Sequence, residues 1–190
     1  AKNLGYKIKL LSISEIIKNK LMERVHPCLI SNNSYIANID GVLNAIVVDG
    51  LPIGKSVLQG EGAGPGPTSS ALISDLCYVL KGEVNYPFGV SSLLRKKISK
   101  FNILNHLCSS YLRIEVKDQP GVLSSITKIF ANNKISIKNL IQKPNKKNKK
   151  ASIIIITHEN IEKNYKNLLF NLIKNKFVLK KPTFIRIEKV

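Results

Sequence analysis

The residues here whose types and spacing point to chemistry are mostly small. From Val57 the chain reads Val57-Leu58-Gln59-Gly60-Glu61-Gly62-Ala63-Gly64-Pro65-Gly66-Pro67-Thr68-Ser69-Ser70-Ala71. Glycines at 60, 62, 64 and 66 free the backbone to take positive φ and remove the Cβ atoms that hold a ligand off. Pro67 suits a helix start, and Thr68 or Ser69 can cap it. Leu72, Ile73, Leu76, Val79 and Leu80 follow at helical spacing, which predicts a helix over 68–81 with one buried face. A bare loop aimed at a helix N-terminus suits a phosphate, a carboxylate or a close-packed cofactor ring. It also suits a tight turn whose glycines serve packing alone. The dinucleotide fingerprint G-x-G-x-x-G is absent, because Pro65 and Pro67 stand where its third glycine would be.

Other reactive types are sparse. His26, beside Arg24, has no second histidine next to it and reads as structural. Lys9, between Ile8 and Leu10, reads as a side chain pointing out of a strand. Cys28, Cys77 and Cys108 are odd in number and form no C-x-x-C pair. They read as reduced, mostly buried thiols of a cytoplasmic protein, with no metal site.

The elements that position these residues come from periodicity. At 190 residues and 44% hydrophobic content the chain supports one or two domains with a real core. No apolar run reaches the length of a membrane span, and no signal-peptide layout opens the chain, so no membrane partner is expected. The net charge of +18 raises nucleic-acid binding, yet the lysines are scattered beside asparagine and isoleucine and aromatics are only 6%. A solvated basic surface is the better reading, and no nucleic-acid partner is expected; retention on heparin or DNA that is lost at moderate salt separates the two.

Ala1 to Tyr6 reads as the end of a helix capped by Gly5, so the chain is expected to be a fragment. Strands are expected over 6–13, 22–30, 44–49 and 52–59, with Pro27 at an edge or bulge and Asp49-Gly50 as a hairpin turn. Residues 14–21 remain unassigned. Short turns join the strands, which favours one antiparallel sheet, its inner face covered by the helix of 68–81. Periodicity fades over 82–109. Beyond it, strand 111–116, a helix from Val122 to Phe130, strand 135–142, the basic loop Lys143–Lys150, strand 151–157, helix 160–176 and a closing strand within 177–188 follow in order. That is β-α-β-β-α-β, the ferredoxin-like arrangement. The fold class is α+β: an antiparallel sheet covered by helices, then a ferredoxin-like domain.

Two resemblances sit on these elements. Gly5-Tyr6-Lys7-Ile8-Lys9-Leu10-Leu11, Arg24-Val25-His26-Pro27, Gly41-Val42-Leu43-Asn44-Ala45 and Gly62-Ala63-Gly64-x-x-Pro67-Thr68 with Ser74-Asp75-Leu76 resemble the later part of homoserine dehydrogenase. Tyr111-Leu112-Arg113, Asp118-x-Pro120-Gly121-Val122-Leu123, Ile135-Ser136-Ile137 and Gln142 resemble an ACT domain. The order, with Pro87-Phe88-Gly89 between, is that of bacterial homoserine dehydrogenases with a C-terminal ACT module. The resemblance implies three segments: 1–82 from the catalytic domain, a linker over 83–109 and an ACT domain over 110–190.

It also implies interconversion of L-aspartate 4-semialdehyde and L-homoserine with NAD(P), on the route to threonine and methionine. The family's catalytic lysine and acidic substrate ligands lie before the segment matching Gly5-Tyr6, so no catalytic residue is expected in these 190. The loop Gly62-Ala63-Gly64 is implied to pack against the nicotinamide, with Gly64 foremost. In the ACT half, an amino-acid effector, with threonine the first candidate, is implied at a module interface. Asp118, Gly121, Val122 and Leu123 supply the first turn, and Ile135 and Ser136 come from a partner module. A homo-oligomer, dimer or tetramer, follows from the same likeness. The alternative is a stand-alone ACT-containing regulatory subunit without catalysis.

Overall fold

The computed structural model describes residues 1–82, 86, 89–145 and 149–190. Two compact units divide the chain, one built from Ala1–Ser31 with Ser99–Lys189 and the other from Asn32–Ile98. The units do not follow the three segments read along the sequence. The first 31 residues belong with the C-terminal sheet.

In the first unit a 3-10 turn, Lys2–Leu4, ends at Gly5, whose φ of 77° is the left-handed cap the sequence predicts. Then come β1 (Tyr6–Ile17) and β2 (Lys20–Ser31), paired antiparallel from Tyr6↔Ser31 to Ile17↔Lys20. Residues 14–21, unassigned from sequence, are therefore the closed end of this hairpin. Lys18 and Asn19 both take positive φ at its tip.

The second unit holds β3 (Leu43–Gly50), β4 (Gly54–Glu61) and α1 (Pro65–Leu80). Strands β3 and β4 form a separate two-stranded sheet, so the expected single four-stranded sheet does not exist. Asp49 and Gly50 lie inside β3, and the turn is Leu51-Pro52-Ile53 with Gly54 at φ 73°. The expected cover by α1 is also absent, because the helix buries no residue. Its stripe of Leu72, Ile73, Leu76, Val79 and Leu80 is exposed.

The rest of the first unit is β5 (Leu107–Lys117), α2 (Val122–Asn132), β6 (Ile137–Asn145), β7 (Lys150–Thr157), a short β8 (Asn160–Ile161), α3 (Glu162–Ile173) and β9 (Thr183–Glu188). The sheet order is β1-β2-β9-β5-β7-β6, with β8 beside β5. Its last four strands are the ferredoxin-like set expected. Alternation in β5 turns Cys108, Ser110, Leu112, Ile114 and Val116 to one buried face. There they meet Val122, Ile126 and Phe130 of α2 and Tyr165, Leu168 and Leu172 of α3. Part of the expected basic loop, 146–148, and Pro87 and Phe88 of the linker lie outside the described residues.

The union of β2 with β9 is parallel, through Cys28↔Arg186, Leu29↔Ile187 and Ile30↔Glu188. The sheet is thus mixed. Pro27, which lacks an N–H to give a neighbour, stands immediately before the stretch that pairs with β9. Beside it the side chain of Arg24 grips Glu188 with two hydrogen bonds, Nε to Oε1 at 3.3 Å and Nη2 to Oε2 at 2.9 Å.

Candidate functional site

The glycine loop belongs to the second unit. Gly62 donates its amide to the carbonyl of Val42 at 3.0 Å, tying the end of β4 back to the start of β3. The side chain of Asn44 fills the space where a Cβ on Gly62 would sit. Gly64 takes φ 115° and ψ 162°, a conformation open to glycine, and is the N-cap of α1. The helix therefore begins at Pro65, three residues before the expected start. The expected side-chain cap by Thr68 or Ser69 is not made. Ser69 instead donates its hydroxyl to the carbonyls of Pro65 and Gly66, at 2.7 and 3.0 Å.

This start decides what the loop can hold. A helix N-terminus binds anions through its free amides. Here positions one and three are Pro65 and Pro67, which have none, and Thr68 already donates to Gly64 at 3.2 Å. In the first turn Gly66 keeps its N–H without an acceptor among the described residues. The loop is poor at binding a phosphate, and the glycine it leaves open is Gly64, since Asn44 occupies the Cβ side of Gly62.

The second set of expected residues lies on the first unit. Gly121 takes φ 84° as N-cap of α2. Val122 donates to Gln119 at 3.4 Å, which leaves the next two amides, of Leu123 and Ser124, without acceptors in the helix. Asp118 is exposed, donates its amide to Lys149 at 2.9 Å and accepts from Gln142 Nε2 at 3.4 Å. Val122 and Ile135 point into the core, at 3% and 4% exposure, so they offer backbone and no side chain to a ligand. Leu123 is 37% exposed. Ser136 is exposed and accepts from the His158 amide through its carbonyl at 3.0 Å.

Sequence reasoning missed a buried polar chain under this sheet. Tyr165 donates to the carbonyls of Cys108 and His158, both at 3.0 Å, and lies 2.6 Å from Thr157 Oγ1, which accepts from the Ser110 amide. Burial pushes the Tyr165 hydroxyl above its ordinary range. Next to it Arg186 pairs with Glu162, and Cys108 donates its thiol to Glu162 at 3.4 Å. Only the alternation of β5 hinted that Cys108 and Ser110 face inward. Among the described residues no cluster of His, Cys, Asp and Glu could hold a metal.

A four-stranded antiparallel sheet backed by two helices, with a Gly-capped strand-to-helix turn, is a ferredoxin-like module, and residues 110–169 match the ACT domain. Residues 1–77 match the profile described as homoserine dehydrogenase. The chain carries a homoserine dehydrogenase segment followed by an ACT domain. It is 37% identical over 188 residues to the homoserine dehydrogenase of Helicobacter pylori and 35% identical over 196 to that of Neisseria gonorrhoeae. Those matches take in 99% and 100% of this chain. The chain spans 44% and 45% of the two relatives. The crystal structure of a homoserine dehydrogenase from Thiobacillus denitrificans superposes on 99% of this chain and 44% of its own, with TM-score 0.81 and 32% identity.

Proposed function

We propose that this chain is the C-terminal part of an NAD(P)-dependent homoserine dehydrogenase, converting L-aspartate 4-semialdehyde to L-homoserine for threonine and methionine synthesis. The observation that carries this is the succession of a homoserine dehydrogenase segment and an ACT domain in one chain. The nicotinamide supplies the hydride when bound. The contribution of this chain is a bare edge at Gly62, Ala63 and Gly64, against which a planar ring can lie. Asn44 occupies the space beside Gly62 that a Cβ there would take. On this reading the lysine and carboxylates that act on the substrate are not among these 190 residues.

The ACT half senses an amino acid, with threonine the leading candidate. Free amides of Leu123 and Ser124 suit its carboxylate, and Asp118, steadied by Gln142, suits its ammonium. The backbone at Ile135 and the hydroxyl of Ser136 complete the site from a second module, which makes the working enzyme a cytoplasmic homo-oligomer.

The experiment joins this chain to its upstream sequence and follows semialdehyde reduction. The intact protein turns over, and Gly64→Val raises the cofactor KM. The 190 residues alone do not turn over. Activity in the isolated chain defeats the placing of the catalytic groups outside it, and an unchanged KM and rate in the variant removes Gly64 from the site.

A further inference from the structure

The closed end of the β1–β2 hairpin and the segment leading into β5 line a half-open pocket of about 470 Å3 within the first unit. Cavities of this size hold metabolites. Its polar lining is Glu15, Lys18 and Lys20 from the hairpin, and Asn102, Asn105 and His106 from the incoming segment. The expected effector residues are elsewhere: none of Asp118, Gly121, Ile135 or Ser136 lines it.

The walls are fixed by backbone bonds. Leu21 donates to Ser99 at 2.9 Å and Phe101 donates to Leu21 at 2.8 Å, pinning the incoming segment to β2. Asn102 caps the 3-10 turn Ile103–Asn105 by accepting from Leu104 at 3.0 Å. His106 closes that turn by donating to Ile103 at 3.0 Å, and its carbonyl accepts from Glu162 at 2.9 Å.

The charges on its rim are not balanced. Lys18 and Lys20 make no ion pair among the described residues, while Glu15 lies 3.7 Å from Arg24 Nη1 and keeps 40% of its side chain exposed. His106 is 8% exposed, and its Nε2 has no hydrogen-bond partner among the described residues. A buried ring nitrogen without a protein partner is uncommon in native proteins and is met by a water or by another group.

We propose that this cavity is a binding site for a small dicarboxylate that also bears an amino group. The two ammonium groups of Lys18 and Lys20 take its carboxylates, with the side-chain amides of Asn102 and Asn105 as further donors. Glu15 takes its ammonium. The imidazole of His106, kept neutral by burial, supplies a hydrogen-bonding floor that costs no charge desolvation. Occupancy ties the hairpin tip to the lead-in of the ACT sheet, so the ligand strengthens the joint between the two family segments.

The test uses the 190-residue chain and two probes that differ by one amino group, succinate and L-aspartate. The ring signals of His106 and the backbone signals of Lys18 and Lys20 are followed by NMR during titration. Saturable shifts there are expected with both, tighter for L-aspartate. In the double variant Lys18→Gln, Lys20→Gln both probes weaken by about tenfold or more, the loss of about 1.4 kcal/mol or more. Glu15→Gln removes the preference for L-aspartate. These positions sit at the exposed end of a hairpin, and an unchanged melting temperature shows that the variants fold. Absence of saturable shifts at His106 overturns the site, as do shifts confined to Asp118–Ser124, affinities that the lysine variant leaves unchanged, or equal affinities of the two probes.

Discussion

The side-chain amide of Asn44 stands where a Cβ on Gly62 would be, so the first strand of the β3–β4 hairpin dictates the residue allowed in the glycine loop. A glycine chosen for closeness to a ligand and one chosen for closeness to its own protein look alike in sequence. Here Gly62 is the second kind, whereas Gly64, with φ 115° and open space toward everything but Pro67, keeps the first role available.

Gly62→Ala forces Asn44 aside and weakens the Gly62–Val42 hydrogen bond. Asn44 is exposed and its side chain can turn away, so a cost of about 0.5–1 kcal/mol is expected. Amide exchange across Leu43–Glu61 measures it, with faster exchange in the variant. Adding Asn44→Ala clears the space and restores most of the protection. Equal exchange in wild type and Gly62→Ala removes Asn44 as the cause.

The joint between β2 and β9 rests on an ion pair that neither strand announces. Arg24 and Glu188 are about nine-tenths buried, and the two ends of the pair lie 164 residues apart. Arg24→Met leaves the Glu188 carboxylate without its donors, and His26 Nε2 at 3.3 Å cannot replace a two-pronged guanidinium. About 3–5 kcal/mol of stability is expected to go, read from urea unfolding. The double variant Arg24→Met, Glu188→Leu regains most of it. If the single variant unfolds at the wild-type midpoint, the pair does not hold the hairpin to the sheet.

These two pairs show where the sequence was legible and where it was not. The ACT half was legible because its signals are local: alternation in β5, helical spacing from Val122 to Phe130, a glycine turn at 121. The hairpin placement was not, because Arg24 and Glu188 are far apart in sequence and the β2–β9 register covers only Cys28–Ile30. The start of α1 was misplaced by three residues because Pro65, like Pro67, fits a first helical turn, and Gly64 rather than a hydroxyl forms the cap. Of the site, the glycines and the Asp118 turn were legible from residue type. Asn44, His106 and the Thr157–Tyr165 chain were not, since each owes its role to a neighbour brought by the fold.

Burial lowers the pKa of His106, with Arg24 adding to the effect and Glu188, Glu15 and Glu162 opposing it. The folded state therefore prefers the neutral ring. The stability this preserves is complete above the unfolded value of about 6.5 and is lost as pH falls toward the lower folded value. The difference in unfolding free energy between wild type and His106→Gln should shrink as the buffer is taken from pH 8 to 5. Taking the difference removes the carboxylates that titrate in both proteins. A difference that is flat with pH rules out a depressed imidazole.

The three thiols should separate by reactivity. Cys77 is exposed on α1, whereas Cys28 and Cys108 are buried. Burial and the nearby Glu188 push the Cys28 thiol up to about 11, and burial with Glu162 raises Cys108 further. Only thiolate attacks a disulfide reagent, so at pH 8 one equivalent per chain is expected to react fast and two only on unfolding. Cys77→Ser should abolish the fast phase and leave the slow one. In the intact enzyme, a loss of that fast phase without any substitution would show that the apolar stripe of α1 is covered there, since Cys77 lies between Leu76 and Tyr78 on the same helix. Fast reaction of Cys108 in the folded chain would contradict its hydrogen bond to Glu162 and the buried face of β5.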